Sequence, residues 1–238
     1  MIRGISLAAS AMVARSRQQD ALANNMANAE TAGFKRQSIF MRRLEAAQTD
    51  KRQPWLIPLQ EGNYTDFTQG PLDPTGHPLN LALDGPGFFV VETPEGERFT
   101  RGGNFSRSEA GELVTADGFK VLGDSGPIVL SGDDITVGEH GEVNDGGVDK
   151  GRLRVVNFSD PQSLTSLGRN LFFSREEPQP EPESLVRQGY IERANFDLVH
   201  QMVEMMTTFR YFETAQKAVQ IQDATLDRAV NQVGRLQR

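Results

Sequence analysis

The C-terminal part of the chain, from Asn195 onward, carries an apolar residue at every seventh position. This column contains Leu198, Met205, Phe212, Val219, Leu226 and Val233. A second column at the complementary position contains Met202, Phe209, Gln216, Asp223 and Val230. Seven-residue spacing is typical of an α-helix that packs along another helix. Such a helix would extend roughly 60 Å, too far to bury its stripe in one compact core, so the pattern predicts a partner helix.

The N-terminal residues supply a candidate partner helix. A heptad column there contains Ile5, Met12, Gln19 and Met26, and neighbouring positions on that face hold Ala8, Ala9, Leu22 and Ala23. Burying the C-terminal column contributes on the order of 10 kcal/mol, comparable with an association cost of roughly 4–15 kcal/mol. We therefore expect pairing within one chain and then between chains. The alternative is a helical hairpin that only decorates a globular domain.

A glycine marks the expected end of the N-terminal helix. The helix should stop at Thr31-Ala32-Gly33, because glycine adopts the left-handed conformation that closes a last turn and Phe34 can fold back over it. From residue 50 to residue 78, repeated prolines and glycines preclude a regular helix. That segment is predicted to be an extended connector with some strand character.

Short β-prone runs separated by turn residues fill residues 79–191. The runs are residues 79–83, 88–92, 98–101, 112–115, 119–122, 128–130 and 152–158. The turns between them, such as Asp117-Gly118, suit tight hairpins, so the sequence predicts an antiparallel β-domain. Residues 176–183 are too acidic and proline-rich to pack and should form an exposed, extended loop. Residues 185–191 lead from this loop back to the terminal helix.

Composition excludes several classes of protein. The net charge of −7 argues against nucleic acid as a partner, because nucleic-acid binding rests on neutralising phosphates with Lys and Arg. The chain contains no cysteine, so disulfides, thiolate metal sites and cysteine nucleophiles are excluded. No stretch approaches the roughly 20 apolar residues that cross a bilayer, so membrane insertion is not expected. Residues 1–14 resemble a secretory signal, but the heptad pattern continues through the would-be cleavage point, which favours a retained helix.

No catalytic or metal-binding constellation is evident. Residues 123–127, GDSGP, partly match a serine-protease nucleophile loop, but ordinary hairpin-turn chemistry is the simpler interpretation. His140 and His200 lack a metal-ligand spacing and are expected on the surface, while His77 lies in the connector. The acidic residues near Asp145 have no calcium-loop register and are expected to form a solvated turn. We predict that the protein is not an enzyme and uses no cofactor or metal.

Three asparagines crowd one turn near the end of the N-terminal helix. Asn24, Asn25 and Asn28 are mediocre helix formers, so stability alone would not select them. We expect them to hydrogen-bond to a neighbour; the alternative is that they only fray the helix end. In the C-terminal helix, methionines and phenylalanines at heptad spacing are more simply an interface core than a promiscuous binding groove.

The chain resembles bacterial flagellar rod and hook proteins over nearly its whole length. The resemblance rests on residues 23–36, ANNMANAETAGFKR, and on segments that follow in the family's order: LDGPGFFVV (83–91), FTRGGNF (99–105), LVTADG (113–118), QGYIERAN (188–195) and MVEMM (202–206). Residues 66–72 and 123–128 look most like the proximal rod members, with the distal rod members second. One departure is FRYFE at 209–213, where Phe212 replaces a small-residue pattern.

The resemblance implies an α+β fold with a discontinuous coiled-coil domain. Residues 1–36 and 192–238 would supply its two helices, residues 37–78 the connector, and residues 79–191 a β-rich outer domain inserted between them. Such proteins polymerise helically in the periplasmic rod as the drive shaft and export channel that carry torque to the hook. Expected partners are the same chain, other proximal and distal rod subunits and, in transit, the flagellar type III export apparatus, without a cleaved signal peptide. The less favoured alternative is a secreted β-domain adhesion module with helical oligomerisation ends.

A set of residues on the terminal helices and beside them is predicted to form subunit interfaces. It comprises Ile5, Met12, Leu22, Asn24, Asn25, Met26, Asn28, Gly33, Phe34, Leu198, Met202, Met205, Phe209, Phe212, Val219, Leu226, Val230 and Val233.

Overall fold

The computed structural model describes residues 2–43, 59–132, 134–180 and 183–235. The chain divides into two units. The helical unit contains described residues from 1–27, 37–64 and 197–238, and the β unit contains described residues from 28–36 and 65–196. A helix, a central antiparallel β region and a second helix follow one another along the chain, which confirms the predicted α+β class.

The helical unit contains both terminal helices and one small sheet. Its elements are α1 (Ile2–Ala27), β1 (Gln37–Arg43), β2 (Leu59–Thr65) and α2 (Leu198–Arg235). Strands β1 and β2 pair with each other. The Asp197 carboxylate accepts a hydrogen bond from the His200 N–H at 2.8 Å, which satisfies an otherwise unpaired donor in the first turn of α2. A cap and a long amphipathic run therefore define the start of this helix.

Helix α1 ends earlier than the sequence predicted. Its last residue is Ala27, and residues 28–33 form turns in which the Thr31 N–H donates to the Asn28 carbonyl oxygen at 3.0 Å. Gly33 has a φ of +68°, the left-handed conformation that was expected of it. The glycine therefore shapes the chain after the helix and does not close its last turn.

The β unit consists of short antiparallel strands. They are β3 (Leu72–Pro74), β4 (Leu81–Asp84), β5 (Phe88–Thr93), β6 (Gly96–Thr100), β7 (Ser106–Arg107), β8 (Leu113–Val114), β9 (Lys120–Gly123), β10 (Gly126–Pro127), β11 (Ile135–Val137), β12 (Glu142–Asp145), β13 (Val148–Arg152), β14 (Val155–Asn157), β15 (Thr165–Gly168), β16 (Leu171–Phe173), β17 (Gln179–Pro180), β18 (Leu185–Gln188) and β19 (Tyr190–Glu192). Among the described residues, the largest sheet has ten strands, with β15-β16-β6-β5-β9-β8-β7 in order and β10, β14 and β17 at its sides.

Strand β5 is buried on both faces and organises the core. Phe89 and Val91 point into one apolar cluster, and Phe88 and Val90 point into another. Successive side chains of a strand face opposite sides, so one fully apolar strand can serve two cores. The phenylalanines meet mainly edge-on, as Phe89 and Phe105 do with ring centroids 5.2 Å apart. The predicted run at 88–92 is therefore the central strand of the β unit.

Several predicted segments differ from the observed strands. Residues 128–130 form only an isolated bridge, between Glu112 and Val129, and residues 152–158 are split between β13 and β14. Part of the expected acidic loop, Gln179–Pro180, forms β17 and pairs with β14, while residues 181 and 182 lie outside the described residues. Pro180 is tolerated in β17 because this strand lies at an edge of the sheet, where the missing backbone N–H of proline leaves no ladder hydrogen bond unmade.

Candidate assembly interface

The packed face of α2 follows a heptad pattern. Gln201 and Thr208 are buried, and the half-buried residues that continue the same face are Met205, Phe212, Ala215, Val219, Gln222 and Leu226. Spacings of three and four alternate along this set, as in a helix that packs against another helix. The predicted first column therefore lies on the packed face from Met205 to Leu226, whereas Leu198 is exposed and the side chain of Val233 lies outside the described residues.

The predicted second column does not occupy the complementary position. Met202, Phe209, Gln216 and Asp223 are exposed, and the Val230 side chain is not among those described. The complementary positions belong to residues one place earlier in the chain, beginning with Gln201 and Thr208. For the face packed within this chain the prediction was wrong, because it followed apolar character and this face alternates an apolar column with a polar or small one. The role of Met202, Phe209 and Val230 between subunits stays a prediction.

An apolar stripe on α2 remains uncovered in the isolated chain. It consists of Val199, Met202, Val203, Met206 and Phe209, which are each between 47% and 69% exposed. We call this set the uncovered stripe; it spans about 15 Å of helix. Soluble monomers rarely leave contiguous apolar surface open unless it serves an interaction. The uncovered stripe is therefore the strongest candidate for a contact with another chain.

The predicted residues of α1 differ widely in exposure. Leu22 is buried, Met12 and Met26 are half-buried, Asn24 is exposed, and the side chain of Ile5 lies outside the described set. A small buried contribution from α1 is consistent with its many alanines. The heptad column of α1 is thus only partly covered within the helical unit.

Asn25 lies at the centre of a hydrogen-bond network in the helical unit. Its Nδ2 donates to the Gln37 carbonyl oxygen at 2.8 Å and to Gln201 Oε1 at 3.3 Å, and its Oδ1 accepts from the Gln37 N–H at 2.9 Å. The expectation that asparagines in this turn bond to a neighbour is confirmed for Asn25. Asn28 instead accepts a hydrogen bond from the Thr31 hydroxyl at 3.2 Å.

Helices α1 and α2 contact each other in antiparallel directions. Asn25 near the end of α1 meets Gln201 near the start of α2, and the Arg15 guanidinium lies 4.9 Å from the centre of the Tyr211 ring. A lower residue number on α1 therefore faces a higher residue number on α2, as antiparallel helices require. The cation–π contact contributes about 0.5–1 kcal/mol at an exposed site.

Glu192 is the polar centre of the β unit. Its Oε1 accepts from Lys35 Nζ at 2.7 Å and from the Gly70 N–H at 2.8 Å, and its Oε2 accepts from Arg101 Nε at 2.6 Å. Its carbonyl oxygen accepts from the Gly33 N–H at 2.7 Å. All three charged side chains are buried. Glu192 therefore joins the segment after α1, the connector and the β6 end.

Burial disfavours the charged form of Lys35. The pKa of Lys35 is lowered from its ordinary value of 10.5 by desolvation, which the nearby Glu192 carboxylate opposes. The ammonium also donates to the Thr68 carbonyl oxygen at 2.7 Å. A second acceptor and an opposite charge are what a buried ammonium needs to remain charged.

Gly33 and Phe34, both predicted interface residues, are buried within the β unit. A side chain at Gly33 would place its Cβ 2.3 Å from the Arg101 carbonyl, so the close approach requires glycine. Phe34 packs edge-on against Phe196 with ring centroids 6.2 Å apart. Their observed contacts lie inside the same chain, and their role between subunits stays a prediction.

The segments considered for chemistry adopt structural roles. Residues 123–127 form the tight β9–β10 hairpin, which confirms the turn interpretation. His140 and His200 are exposed, as expected. Asp145 is buried, so the expectation of a solvated turn was wrong there: it accepts hydrogen bonds from the Ser131 and Gly132 N–H groups. In the described part of the chain, no group of three histidine or carboxylate residues could hold a metal ion.

Across the described ranges, no helix is both long enough and apolar enough to span a membrane.

Sequence reasoning missed Glu192, Lys35 and Arg101, although charged residues next to the strongly apolar segments of a β region are a usable signal. It also missed Gln201 and Thr208, which a three-and-four count from Met205 would have found.

Comparison with known proteins places each region of the chain in one family. Residues 5–35 match the flagella basal body rod protein model, residues 82–145 the D1 domain of the flagellar hook proteins FlgE/F/G, and residues 187–233 the C-terminal model of the FlgEFG rod proteins. These regions contain α1, the central strands and most of α2. The three matches follow one another along the chain in the same order as the family-like segments found in the sequence.

Relatives extend the similarity over the full length. The flagellar basal-body rod protein FlgF of Caulobacter vibrioides is 34% identical, covering 92% of this chain and 93% of the relative. The rod protein FlgG of Borreliella burgdorferi is 31% identical over 97% and 98%, and the hook-basal body complex protein FlhO of Bacillus subtilis is 30% identical over 99% and 100%. With this identity over nearly the whole chain, the protein belongs to the flagellar hook and basal-body rod family, whose rod members are structural proteins and not enzymes.

Proposed function

We propose that this chain is a structural subunit of the proximal part of the flagellar rod and polymerises through its terminal helices. The similarity to FlgF of Caulobacter vibrioides supports the rod assignment and the proximal position. In this assignment residues 1–36 and 192–238 form a coiled-coil tube domain, residues 37–78 a connector, and residues 79–191 an outer β-rich domain.

The observation that carries the proposal is the uncovered stripe on α2. Its five apolar side chains are exposed in the isolated chain. Burying each large apolar side chain contributes roughly 1.5–3 kcal/mol, enough in total to offset much of the cost of association. When the surface that covers the stripe lies elsewhere on an identical or related chain, the contact is head-to-tail and repeats into a helical filament.

The mechanical role follows from the pairing of helices. Packed helices resist bending and twisting because each apolar side chain is held among several of the partner helix. A tube of such pairs would transmit torque, and its interior would serve as the export channel. The partners are then other copies of this chain, other rod subunits and, during transit, the type III export apparatus, and the location is the periplasm.

Mass spectrometry of detergent-purified hook–basal bodies from the source cell tests the proposal. We expect this chain in a few copies per rod, fewer than the distal rod subunit. A strain lacking the gene provides the control, since it should yield no rod carrying this chain. Absence of the chain from intact rods would overturn the proposal.

The distal rod is the second candidate position. It is favoured by the 31% identity to FlgG of Borreliella burgdorferi over almost all of both chains. The same measurement separates the two positions, because a distal subunit would be the more abundant rod component. Equal or higher abundance than the other rod subunits would assign the chain to the distal segment.

A further inference from the structure

The packed faces of the two terminal helices contain a fully satisfied buried amide. Asn25 on α1 is 0% exposed and Gln201 on α2 is 1% exposed. The Asn25 amide uses its oxygen and its nitrogen to bond the backbone of Gln37, and it reaches Gln201 with the same nitrogen. One side chain thus connects α1, the first residue of β1 and α2.

The other residues on the packed face do not specify a unique alignment. The apolar column of α2 repeats by heptads, so a slip of one helix by seven residues again places apolar side chains against α1. Two further amide atoms, Gln19 Nε2 and Gln222 Oε1, are buried without a hydrogen-bond partner among the described residues. These amides do not lock the helices together at their present positions.

A buried amide distinguishes one alignment from its neighbours. After a slip by one heptad, Asn25 would face Thr208 or residue 194 in place of Gln201, and a buried amide without its partner costs free energy. A single polar residue at a helix–helix seam is the best-attested device for fixing register. The bonds to Gln37 further fix Asn25 to the chain that follows α1.

We propose that Asn25 is a positioning residue that sets the register of α1 against α2. The inference concerns contacts within one chain and does not depend on the proposed function. It bears on assembly because the register decides where along α1 the uncovered stripe of α2 lies. A change of register would displace that stripe by about 10 Å, one heptad of helix.

The test measures one distance in the full-length chain. The sequence contains no cysteine, so Ser16→Cys together with Thr214→Cys, both at exposed positions, places spin labels on α1 and α2 only. Pulsed electron paramagnetic resonance should give a single narrow distance in this labelled chain. Adding Asn25→Leu should produce a second population displaced by about one heptad, and Gln201→Leu should produce the same population.

Asn24→Leu is the matched control, because Asn24 is the exposed neighbour of Asn25. It should keep the single distance. An unchanged single distance in a helical Asn25→Leu chain would overturn the proposal. If Asn25→Leu loses helicity by circular dichroism, the double variant Asn25→Leu/Gln201→Leu decides, because it removes both polar groups. Two distances in the double variant support the register role. One unchanged distance, or loss of helicity here too, overturns it, since Asn25 would then serve stability alone.

Discussion

At the residue scale, the buried charges around Glu192 dominate the energetics of the β unit. Replacing Glu192 with Gln would leave the Lys35 and Arg101 cations buried without their shared counter-charge. Breaking a buried ion pair in this way costs about 3–5 kcal/mol. We expect Glu192→Gln to lower the free energy of unfolding by that amount. Urea unfolding, followed by the far-ultraviolet circular dichroism signal of the β-strands, measures this change.

The control for this substitution is an ion pair on the surface. Glu97 bonds Arg154, with the Arg154 Nη1 at 3.0 Å, and both side chains are substantially exposed. Exposed pairs contribute about 0–1 kcal/mol, so Glu97→Gln should change the free energy of unfolding little. Equal losses in the free energy of unfolding for the two substitutions would contradict the assignment of the larger effect to burial of the Glu192 ion pairs.

Asp145 gives the β unit a component of acid sensitivity. The backbone N–H groups of Ser131 and Gly132 hold the pKa of Asp145 below its ordinary value of 3.8. A carboxyl whose pKa is depressed by folding adds stability above pH 3.8 that is lost as the pH falls below it. The free energy of unfolding of Asp145→Asn should therefore fall less steeply below pH 3.8 than that of the natural chain.

Urea unfolding at a series of acidic pH values measures this difference. Asp149→Asn is the matched control, since Asp149 is exposed and accepts a local N–H bond from Gly151. Its unfolding should keep the pH dependence of the natural chain. Parallel curves for the natural chain and Asp145→Asn would contradict the assigned role of these N–H bonds.

At the element scale, α2 has two faces with different tasks. One face packs inside the helical unit, and the uncovered stripe is exposed and is proposed to contact another chain. Phe209→Asp should abolish incorporation into the rod and motility while preserving the helicity of the isolated chain, because Phe209 is exposed there. Burying an unpaired carboxylate in an apolar contact is strongly unfavourable. Swimming in soft agar and basal-body composition measure the outcome.

Thr214→Asp adds the same charge to α2 outside the stripe. Thr214 is exposed, and its hydroxyl donates to the Arg210 carbonyl oxygen of its own helix. We expect this variant to assemble and swim. Normal motility of the Phe209 variant would exclude the stripe from the subunit contact, and failure of both variants would indicate a general effect of charge.

The packed positions of α2 cannot be predicted from hydrophobic residues alone. Met202 and Phe209 have the spacing of a packed column, yet the packed positions belong to Gln201 and Thr208. The hydrogen bond between Asn25 and Gln201 compensates the burial of their amides, which a sum of side-chain hydrophobicities does not include. The heptad pattern therefore predicted that α2 packs and identified the column from Met205 to Leu226, but it did not identify the second column of the packed face.

At the scale of the whole molecule, the two units differ in how much apolar surface they bury. The β unit has two clusters built around strand β5, whereas the buried apolar residues of the described helical unit are few. Limited proteolysis with trypsin should therefore cut first at exposed basic residues of α2, such as Arg210 and Lys217, and leave residues 65–196 resistant. Mass spectrometry of the early fragments checks this order.

Uniform resistance to trypsin would contradict the prediction and indicate a self-contained domain. The matched comparison is the same digestion of assembled rods. Burial of α2 between chains should protect Arg210 and Lys217 there. Cleavage at these sites at the same rate in monomer and rod would argue against the proposal that α2 is buried between subunits.

The sequence by itself determined the order of helix, β region and helix, the strand at Phe88, the turn at Gly126 and the left-handed Gly33. These features depend on local periodicity and on backbone preferences that each residue carries with it. Only the tertiary structure decided that Glu192 would hold Lys35 and Arg101, and that Gln201 would meet Asn25. Those pairs join residues far apart in the chain, and their burial becomes favourable only when folding brings opposite charges or matched amides together.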